Sequence, residues 1–232
     1  MISDQLTLII PTKNHEQLIL DNLDEINNFC KNNFEKYEIL IISNGSSDEN
    51  LALLSKLNIS QINHLSFLQS GKGLAVRKGI ENSKYKYSLI CDADLSVGLN
   101  FVEQFFDNLK PLSGFVVGSR KLKDSQVNNT PVSRLISGGL FTFLVKFILG
   151  IKVSDTQCGF KLIDNSKFID ASKFKSDDFF FDVELFLLAK EKNIEVTEVP
   201  VIYNHNFGSS VSLFIDSLRM FKKIISTKFN NQ

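Results

Sequence analysis

Two aspartates separated by one residue, Asp92 and Asp94, are the strongest candidates for chemistry in this sequence of 232 residues. They lie in the run 87–96, whose largely apolar beginning predicts a buried strand with both carboxylates at its carboxyl end. Two hard oxygen ligands at one point suit Mg²⁺ or Mn²⁺, and such an ion neutralises the charge that develops on a leaving diphosphate. An isolated D-x-D pair also fits a solvated turn, so its interpretation depends on the surrounding sequence.

The elements that position these aspartates alternate between strands and helices. Apolar runs and helical spacing of apolar positions predict strands at 6–11, 37–43, 62–67, 87–96 and 114–119, and helices at 15–33, 48–57, 74–83 and 99–109. Asp48 is the expected N-cap of the second helix. The alternation predicts an α/β fold with a doubly wound, mostly parallel sheet that carries helices on both faces. Because such a sheet binds its ligand at the carboxyl ends of its strands, we expect the site at that edge.

Length and composition indicate one globular domain over residues 1–232. The formal net charge is zero, which argues against nucleic acid as a partner. Cys30, Cys91 and Cys158 are an odd set without zinc-type spacing, as expected for reduced thiols in a cytoplasmic protein. The first residues lack the pattern of a signal peptide, and no run of ~20 apolar residues occurs, so we expect no bilayer-spanning segment.

Two segments are candidates for contact with a membrane surface. Residues 135–151 are almost wholly apolar, with Lys146 as the single charge, and fit either an interfacial helix or a helix buried against the sheet. Residues 211–229 have a basic amphipathic pattern, which fits either an anionic membrane surface or a terminal helix docked on the domain. Contact through these segments would make the protein peripheral at the cytoplasmic face of the membrane. The sequence does not indicate an oligomeric state.

The motifs around the aspartates carry a family resemblance through their order and spacing. They are IIPTKN at 9–14, EILIISNGSSD at 38–48, GKGLAVRKGIENSKYKYSLICDADLS at 71–96, GSR at 118–120, DTQCGFKL at 155–162, FDVELFLLA at 181–189 and EVPVIYNHNFGSSVSL at 198–213. With this set the chain, from about residue 6 to 220, resembles the family-2 glycosyltransferases, and most of all the branch that glycosylates polyprenyl phosphates. The resemblance implies an A-type glycosyltransferase fold and an inverting, metal-dependent transfer from a UDP- or GDP-sugar.

The resemblance also implies roles for individual residues. The nucleotide sugar would be held by Pro11, Thr12, Asn44, Ser46, Gly71, Lys72, Gly73, Arg77, Asp92, Ala93 and Asp94, of which Asp92 and Asp94 would also hold Mg²⁺ or Mn²⁺. The residues implied in catalysis are Asp155, Asp182, Glu184 and Arg120, and those implied at an acceptor phosphate are Arg120, Arg134 and Lys161. From the residues alone, Gly71 and Gly73 fit a plain turn equally well, Arg77 and Arg120 fit surface charges, and Asp155 fits a capping aspartate.

The acceptor decides what the acidic residues do. Asp182 and Glu184 are two positions apart on a predicted helix, so only one of them should face the reaction centre. A phosphate monoester, with a second pKa near ~6, is already dianionic at neutral pH and needs positive charge and alignment. A sugar hydroxyl needs a general base. With a phosphate acceptor, Asp155 or Glu184 would orient basic groups; with a hydroxyl acceptor, one of them would take the proton.

Two short stretches depart from the family pattern. The loop that usually reads D-D-G-S is S-N-G-S at 43–46, and the late G-S-K is G-S-S at 208–210. These departures leave the nucleotide and the acceptor open. The sequence therefore supports three hypotheses: a glycosyltransferase that acts on polyprenyl phosphate, one that acts on a sugar hydroxyl in surface polysaccharide synthesis, and a non-catalytic module that binds a nucleotide sugar.

Overall fold

The computed structural model describes residues 1–55, 57–109, 113–167, 174–205 and 223–227. The strands are β1 (Ser3–Thr12), β2 (Phe34–Asn44), β3 (Ile62–Phe67), β4 (Tyr87–Ile90), β5 (Ser113–Ser119), β6 (Gln126–Asn128), β7 (Lys161–Asp164), β8 (Glu195–Pro200) and β9 (Ile202–Asn204). The helices are α1 (Glu16–Asn33), α2 (Asp48–Leu54), α3 (Lys72–Glu81), α4 (Val102–Asp107), α5 (Val132–Leu149) and α6 (Phe181–Glu191). A 3₁₀ turn, Leu99–Phe101, precedes α4, and residues 223–227 are also helical.

A seven-stranded sheet in the order β3-β2-β1-β4-β7-β5-β8 forms the centre of the fold. Neighbouring strands are parallel except at β7, which runs antiparallel to both β4 and β5. The chain winds outward from β1 through β2 and β3, and then returns to the other side of β1 with β4. This change of direction opens a crevice at the carboxyl ends of β1 and β4, where doubly wound sheets bind their ligands. A small parallel pair, β6 with β9, lies apart from the main sheet.

Apolar side chains cover both faces of the sheet, as predicted for helices on both sides. On one face, α1 contributes Ile26 and α4 contributes Phe105 to a buried cluster. On the other face, Val145 of α5 and Phe186 of α6 belong to a second cluster. Phe105 meets the ring of Phe160 edge-on, with ring centroids 5.0 Å apart. The two layers fix the sheet from both sides and leave its carboxyl edge for the polar residues.

Helix α5 is apolar on both of its faces. It buries Phe141 and Val145 against the second cluster, whereas Phe143 and Phe147 are exposed on the opposite side. The helix begins at Val132 and ends at Leu149, so it starts three residues before the segment 135–151 singled out in the sequence. The helix therefore has a feature of each hypothesis for this segment: one side is buried in the core, and the other side is apolar and lies outside the core. Within the described ranges, no helix is long and apolar enough to cross a membrane.

The sequence-based boundaries differ from the structure mainly at the site. The strand expected at 87–96 ends at Ile90, because the chain turns at the aspartates: the N–H of Leu95 donates to the carbonyl of Asp92, and Leu95 adopts a φ of 47°. The N-cap of α2 is Ser47, so the prediction of Asp48 as the cap was wrong. Of the segment 211–229, only 223–227 is among the described residues.

Truncation of Phe105 tests how much the first cluster stabilises the fold. Phe105 is fully buried, so Phe105→Ala removes its contacts and leaves a cavity beside Phe160. We expect a loss of about 3–5 kcal/mol in the free energy of unfolding, measured by urea denaturation. The control Leu68→Ala changes a side chain that is 100% exposed and should stay within about 0.5 kcal/mol of the parent. Equal effects of the two substitutions would contradict the assignment of the core.

Candidate active site

The polar residues singled out in the sequence meet at the carboxyl edge of the sheet. Thr12 ends β1, Asn44 ends β2, Asp92 comes two residues after β4, and Arg120 comes directly after β5. Lys161 joins them from the opposite direction, because β7 is antiparallel and its first residue pairs with the end of β4. One edge of the sheet therefore collects both carboxylates and cations.

Asp92 is held by a lysine at the start of α3. The Nζ of Lys72 lies 2.5 Å from Oδ1 of Asp92. Burial works to raise the pKa of Asp92, but the ammonium groups of Lys72 and Lys161 outweigh it and bring the pKa below its usual value, so the carboxylate is ionised at neutral pH. A Cβ at position 159 would lie 2.0 Å from Oδ2 of Asp92, so only glycine leaves room for this carboxylate. Gly159 belongs to a motif quoted above, but its role was not predicted.

Asp94 lies on the same tight turn as Asp92. Its Oδ1 accepts a hydrogen bond from the backbone N–H of Ser96 at 3.0 Å. Burial works to lower the pKa of Lys72, but Asp92, Asp182 and Asp94 together raise it, so all three carboxylates lie within electrostatic reach of one ammonium group. The turn thus carries two carboxylates that both act on the ammonium group of Lys72.

Arg120 and Asp155 form a bidentate ion pair. Arg120 donates from Nε to Oδ2 at 2.6 Å and from its NH2 atom to Oδ1 at 2.9 Å, and its backbone N–H also donates to Oδ2. Asp155 is only 2% exposed. Burial works to raise its pKa, but the guanidinium outweighs this and holds the pKa at about 2. The guanidinium also lies 5.1 Å from the ring centroid of Tyr203, a residue the sequence did not single out.

Lys161 and Asp182 form a second, deeper pair. The Nζ of Lys161 donates to Oδ1 of Asp182 at 2.7 Å and also to the carbonyl of Cys158, and the lysine is 1% exposed. Burial raises the pKa of Asp182 above its usual value, although Lys161 and Lys72 act in the opposite direction. The structure therefore places Lys161 behind the site, where it supplies positive potential, with its ammonium already bound by protein oxygens.

Glu184 and Arg77 both form hydrogen bonds with residues 174–178, the segment that precedes α6. Glu184 accepts hydrogen bonds from the backbone N–H and the hydroxyl of Ser176, at 2.8 and 2.9 Å. Arg77 donates to Oδ1 of Asp177 at 2.5 Å and to the carbonyl of Phe174 at 3.1 Å. Asp182 and Glu184 thus face different partners, in line with their spacing on a helix.

Gly71 and Gly73 pack directly against the same segment. A Cβ at Gly71 would lie 2.2 Å from the carbonyl oxygen of Asp177, and a Cβ at Gly73 would lie 2.2 Å from that of Ser176. The N–H of Gly73 also donates to the carbonyl of Asp177 at 2.8 Å. The glycines are therefore needed for a close approach of two backbone segments, which a plain turn would not require.

The ends of β1 and β2 form a separate polar corner. Asn44 is buried, and Ser46 accepts a hydrogen bond from the backbone N–H of Asn14 at 3.1 Å. The side chain of Asn14 in turn accepts from the N–H of Ser47 at 2.8 Å, which joins the two loops. The hydroxyl of Thr12 is buried and has no hydrogen-bond partner within the described part of the chain. This corner offers a hydroxyl and an amide in place of the carboxylates that are usual in the family.

Some predicted positions cannot be placed in this site. Arg134 lies on α5, but its side chain is outside the part that the structure describes. The G-S-S stretch at 208–210 is also outside the described residues.

The aspartate turn fits a divalent cation of the Mg²⁺ or Mn²⁺ type. In the described residues, no cluster of three or more His, Cys, Asp or Glu side chains suitable for a metal occurs. Mg²⁺ commonly takes only one or two carboxylates from the protein and fills its other positions with phosphate oxygens and water. Asp92 is ionised, and its carboxylate packs closely against Gly159, where a side chain would displace it. Asp92 and Asp94 therefore suffice as protein ligands for a metal whose other coordination positions are filled by a phosphorylated ligand and water.

Comparison with known proteins defines the class of enzyme. The profile of the glycosyl transferase family 2 matches residues 7–171, from β1 to just beyond β7. The chain therefore belongs to this family and is a glycosyltransferase, which argues against the non-catalytic hypothesis. It is 33% identical to the dolichyl-phosphate beta-glucosyltransferase of Dictyostelium discoideum over 97% of this chain and 74% of that protein. It is 29% identical to the enzyme of that name from Saccharomyces cerevisiae over 95% of this chain and 73% of that protein.

Solved structures support the fold. Glucosyl-3-phosphoglycerate synthase from Mycobacterium tuberculosis, in complex with Mn²⁺, UDP and glucosyl-3-phosphoglycerate, aligns over 97% of this chain and 78% of its own, with a TM-score of 0.67 and 16% identity. Mannosyl-3-phosphoglycerate synthase from Rubrobacter xylanophilus aligns over 98% of this chain and 74% of its own, with a TM-score of 0.69 and 14% identity. At these identities the likeness establishes the fold alone, and the predicted A-type glycosyltransferase fold is confirmed.

Substitution of Gly159 tests its contact with Asp92. In Gly159→Ala the new methyl group meets Oδ2, so the carboxylate must move. We expect Mn²⁺ binding, followed by water-proton relaxation, to weaken by roughly 10–100-fold, as when residues that orient metal ligands are changed. The control Gly138→Ala lies on α5, where an added Cβ has no atom within 4 Å, and should leave binding unchanged. Unaltered Mn²⁺ affinity in a folded Gly159→Ala variant would show that Asp92 does not hold the metal.

The ion pair of Asp155 predicts a defined pH dependence of stability. Because its pKa is lowered to about 2 in the folded state, the pair stabilises the protein above the unfolded pKa of ~3.9 and loses this effect as the pH falls towards 2. Asp155→Asn should cost about 3 kcal/mol at pH 7, because Arg120 loses its partner. The difference from the parent, measured by urea denaturation, should be constant from pH 7 to 5 and shrink below ~4. The exposed control Asp107→Asn should show neither effect.

Proposed function

We propose that this glycosyltransferase transfers a sugar, with inversion, from a UDP- or GDP-sugar to a polyprenyl phosphate, with Mg²⁺ or Mn²⁺ held by Asp92 and Asp94. The choice of acceptor rests on one observation: the candidate bases are already engaged in ion pairs or hydrogen bonds within the protein. Asp155 is bound on both oxygens by Arg120 and has a pKa of about 2, which makes it a poor proton acceptor. Asp182 is bound by Lys161, and Glu184 is bound by Ser176.

This arrangement favours an acceptor that needs no base. A sugar hydroxyl must lose a proton as it attacks, whereas a phosphate monoester is already anionic at neutral pH. Such an acceptor requires positive charge and alignment, because two anions must approach each other. Arg120 meets this need at the edge of the site, since its guanidinium is oriented by Asp155 and its side chain is 27% exposed. Lys161 adds positive potential from behind.

The donor half of the site lies on the parallel strands. In this proposal, Asn44 and Ser46 contact the nucleoside, with Pro11 and Thr12 at the end of the adjacent strand. Lys72 compensates negative charge beside Asp92, as its ion pair already shows it can. Gly71, Gly73 and Arg77 keep the start of α3 in place against residues 174–178. The metal, when bound, neutralises charge on the leaving diphosphate.

The relatives support the lipid-phosphate acceptor and the metal. The curated relatives are named for dolichyl phosphate and a glucosyl group, and the alignments span almost all of this chain. The structural neighbour from Mycobacterium tuberculosis contains Mn²⁺ and UDP in the same fold. The three cysteines are free and buried, which agrees with a reaction on the cytoplasmic side.

A sugar hydroxyl is the alternative acceptor, and one observation favours it. The raised pKa of Asp182 would suit a general base, since a base works best when its pKa is near the operating pH. This role requires Lys161 to release Asp182 when the acceptor binds, because the two groups are in direct contact.

The test is transfer of labelled sugar from a panel of UDP- and GDP-sugars to a short polyprenyl phosphate, with Mg²⁺, Mn²⁺ or EDTA. We expect glycolipid formation with one donor, loss of product with EDTA, and a fall of at least about 10²-fold in rate for Asp94→Asn, because charge on the leaving group is then poorly neutralised. The control Asp24→Asn changes an exposed aspartate of α1 and should leave the rate unchanged.

Each other outcome has a defined meaning. Metal-dependent release of nucleotide in the presence of a glycan, without glycolipid, would replace the proposed acceptor by a sugar hydroxyl. Full activity of Asp94→Asn, or activity that is insensitive to EDTA, would contradict the metal assignment.

A further inference from the structure

We propose that the exposed side of α5 is a membrane-docking face that lies in the headgroup region of a bilayer containing anionic phospholipid. We call this surface the α5 face. It consists of the exposed apolar side chains of one helix: Val132, Leu135, Ile136, Leu140, Phe143 and Phe147. The docking does not depend on catalysis, but the benefit described below rests on the proposed acceptor.

The α5 face is continuous along the whole helix. Its members follow each other at intervals of one, three or four residues, which places them on one side of an α-helix. Phe143 is 61% and Phe147 is 78% exposed, and their rings are stacked with centroids 6.1 Å apart. The opposite side of the helix already packs on the core through Val145 and its neighbours. The exposed side is therefore not needed to hold the helix in place, and an apolar surface of this extent indicates a binding partner.

The charges around the α5 face identify that partner. Between Asp124 and Asp155 the sequence has no acidic residue, but it has three basic ones: Arg134, Lys146 and Lys152. An apolar helix whose own sequence and flanks carry cations and no acidic residue is complementary to a lipid surface that carries anionic headgroups. A second copy of the chain, paired through a two-fold axis, would set the same cations against each other. The chain's own segment 206–222 carries one acidic and two basic residues, so its net charge is also positive.

A shallow depression on the α5 face includes Lys121 and Ser154, the sequence neighbours of Arg120 and Asp155. It has a volume of about 630 Å³ and is lined in part by Lys121, Lys146, Phe143 and Phe147. Lys121 directly follows Arg120 and donates to the hydroxyl of Thr142 on α5 at 2.7 Å. A bilayer that touches the α5 face therefore lies beside the strand end that carries Arg120. A phosphate anchored in that bilayer would thus lie on the side of the molecule where Lys121 and the adjacent Arg120 are found.

A single tryptophan reports on the docking directly, because the chain has no Trp of its own. Phe147→Trp introduces one at the most exposed aromatic position of the α5 face. On addition of phosphatidylcholine vesicles that contain phosphatidylglycerol, we expect a blue shift of its emission and quenching by brominated acyl chains. Vesicles of phosphatidylcholine alone should bind about tenfold or more weakly. The matched control Leu68→Trp sits at a position that is 100% exposed, outside α5, and should show no shift.

The same reporter detects the other possible occupants. A blue-shifted emission without vesicles that depends on protein concentration would assign the face to a second copy. A blue shift without vesicles that is independent of concentration would assign it to the chain's own segment 206–222. Either result, or an emission that vesicles do not change, overturns the proposal.

A second variant separates docking from catalysis. Phe143→Ser with Phe147→Ser removes both exposed rings from a surface that contributes nothing to the core. We expect it to lose flotation with anionic vesicles and to lose at least about tenfold in transfer to a long-chain acceptor in those vesicles. Transfer to a short acceptor in solution should remain at the parental level. If the parent floats with vesicles but transfers no sugar, the proposed function fails and the docking face stands. If the variant floats like the parent, the docking face fails, whatever the activity.

Discussion

Charge compensation at the carboxyl edge of the sheet is the constraint on which the rest of the structure depends. Carboxylates that are withdrawn from water at this edge need a cation in contact, because an uncompensated buried charge costs several kcal/mol. Three carboxylates of the site each have a cation in direct contact, in the pairs Lys72–Asp92, Lys161–Asp182 and Arg120–Asp155. Each pair also joins elements that are distant in sequence, so the contacts that neutralise the site also fix its geometry.

The pairs divide the edge into two regions with different chemistry. On the side of β1 to β4, the aspartate turn carries two carboxylates, and one lysine, Lys72, is in direct contact with Asp92. This combination of charges suits a metal cation and a diphosphate. On the side of β5 and β7, both acids are already neutralised by cations, and Arg120 lies at the surface over Tyr203. The inserted antiparallel strand makes this division possible. Because β7 starts at the edge where the parallel strands end, it brings Gly159 and Lys161 to Asp92 from the other half of the fold.

Local patterns predicted much of the fold, whereas contacts between distant segments escaped prediction. The strands β1 to β5 and the helices between them follow apolar runs and turn residues that lie next to each other in sequence. The strand β7 was not predicted, because four residues carry little periodicity and its partners lie more than 40 positions away. Asp155 and Lys161 were nominated by family resemblance. Their partners depend on how β7 and α6 pack, and that information is not local. The close contact of Gly159 with Asp92 was not predicted for the same reason, because it depends on how β7 packs beside β4.

The contact of Gly71 and Gly73 with the backbone of residues 176–178 has a consequence for how this fold can vary. The two segments come from different halves of the chain and approach so closely that neither tolerates even a methyl group between them. A change in the course of one backbone must therefore be matched in the other. Chimeras assembled from related enzymes would need to inherit both segments from the same parent. This contact therefore limits where natural or engineered recombination can place a crossover point.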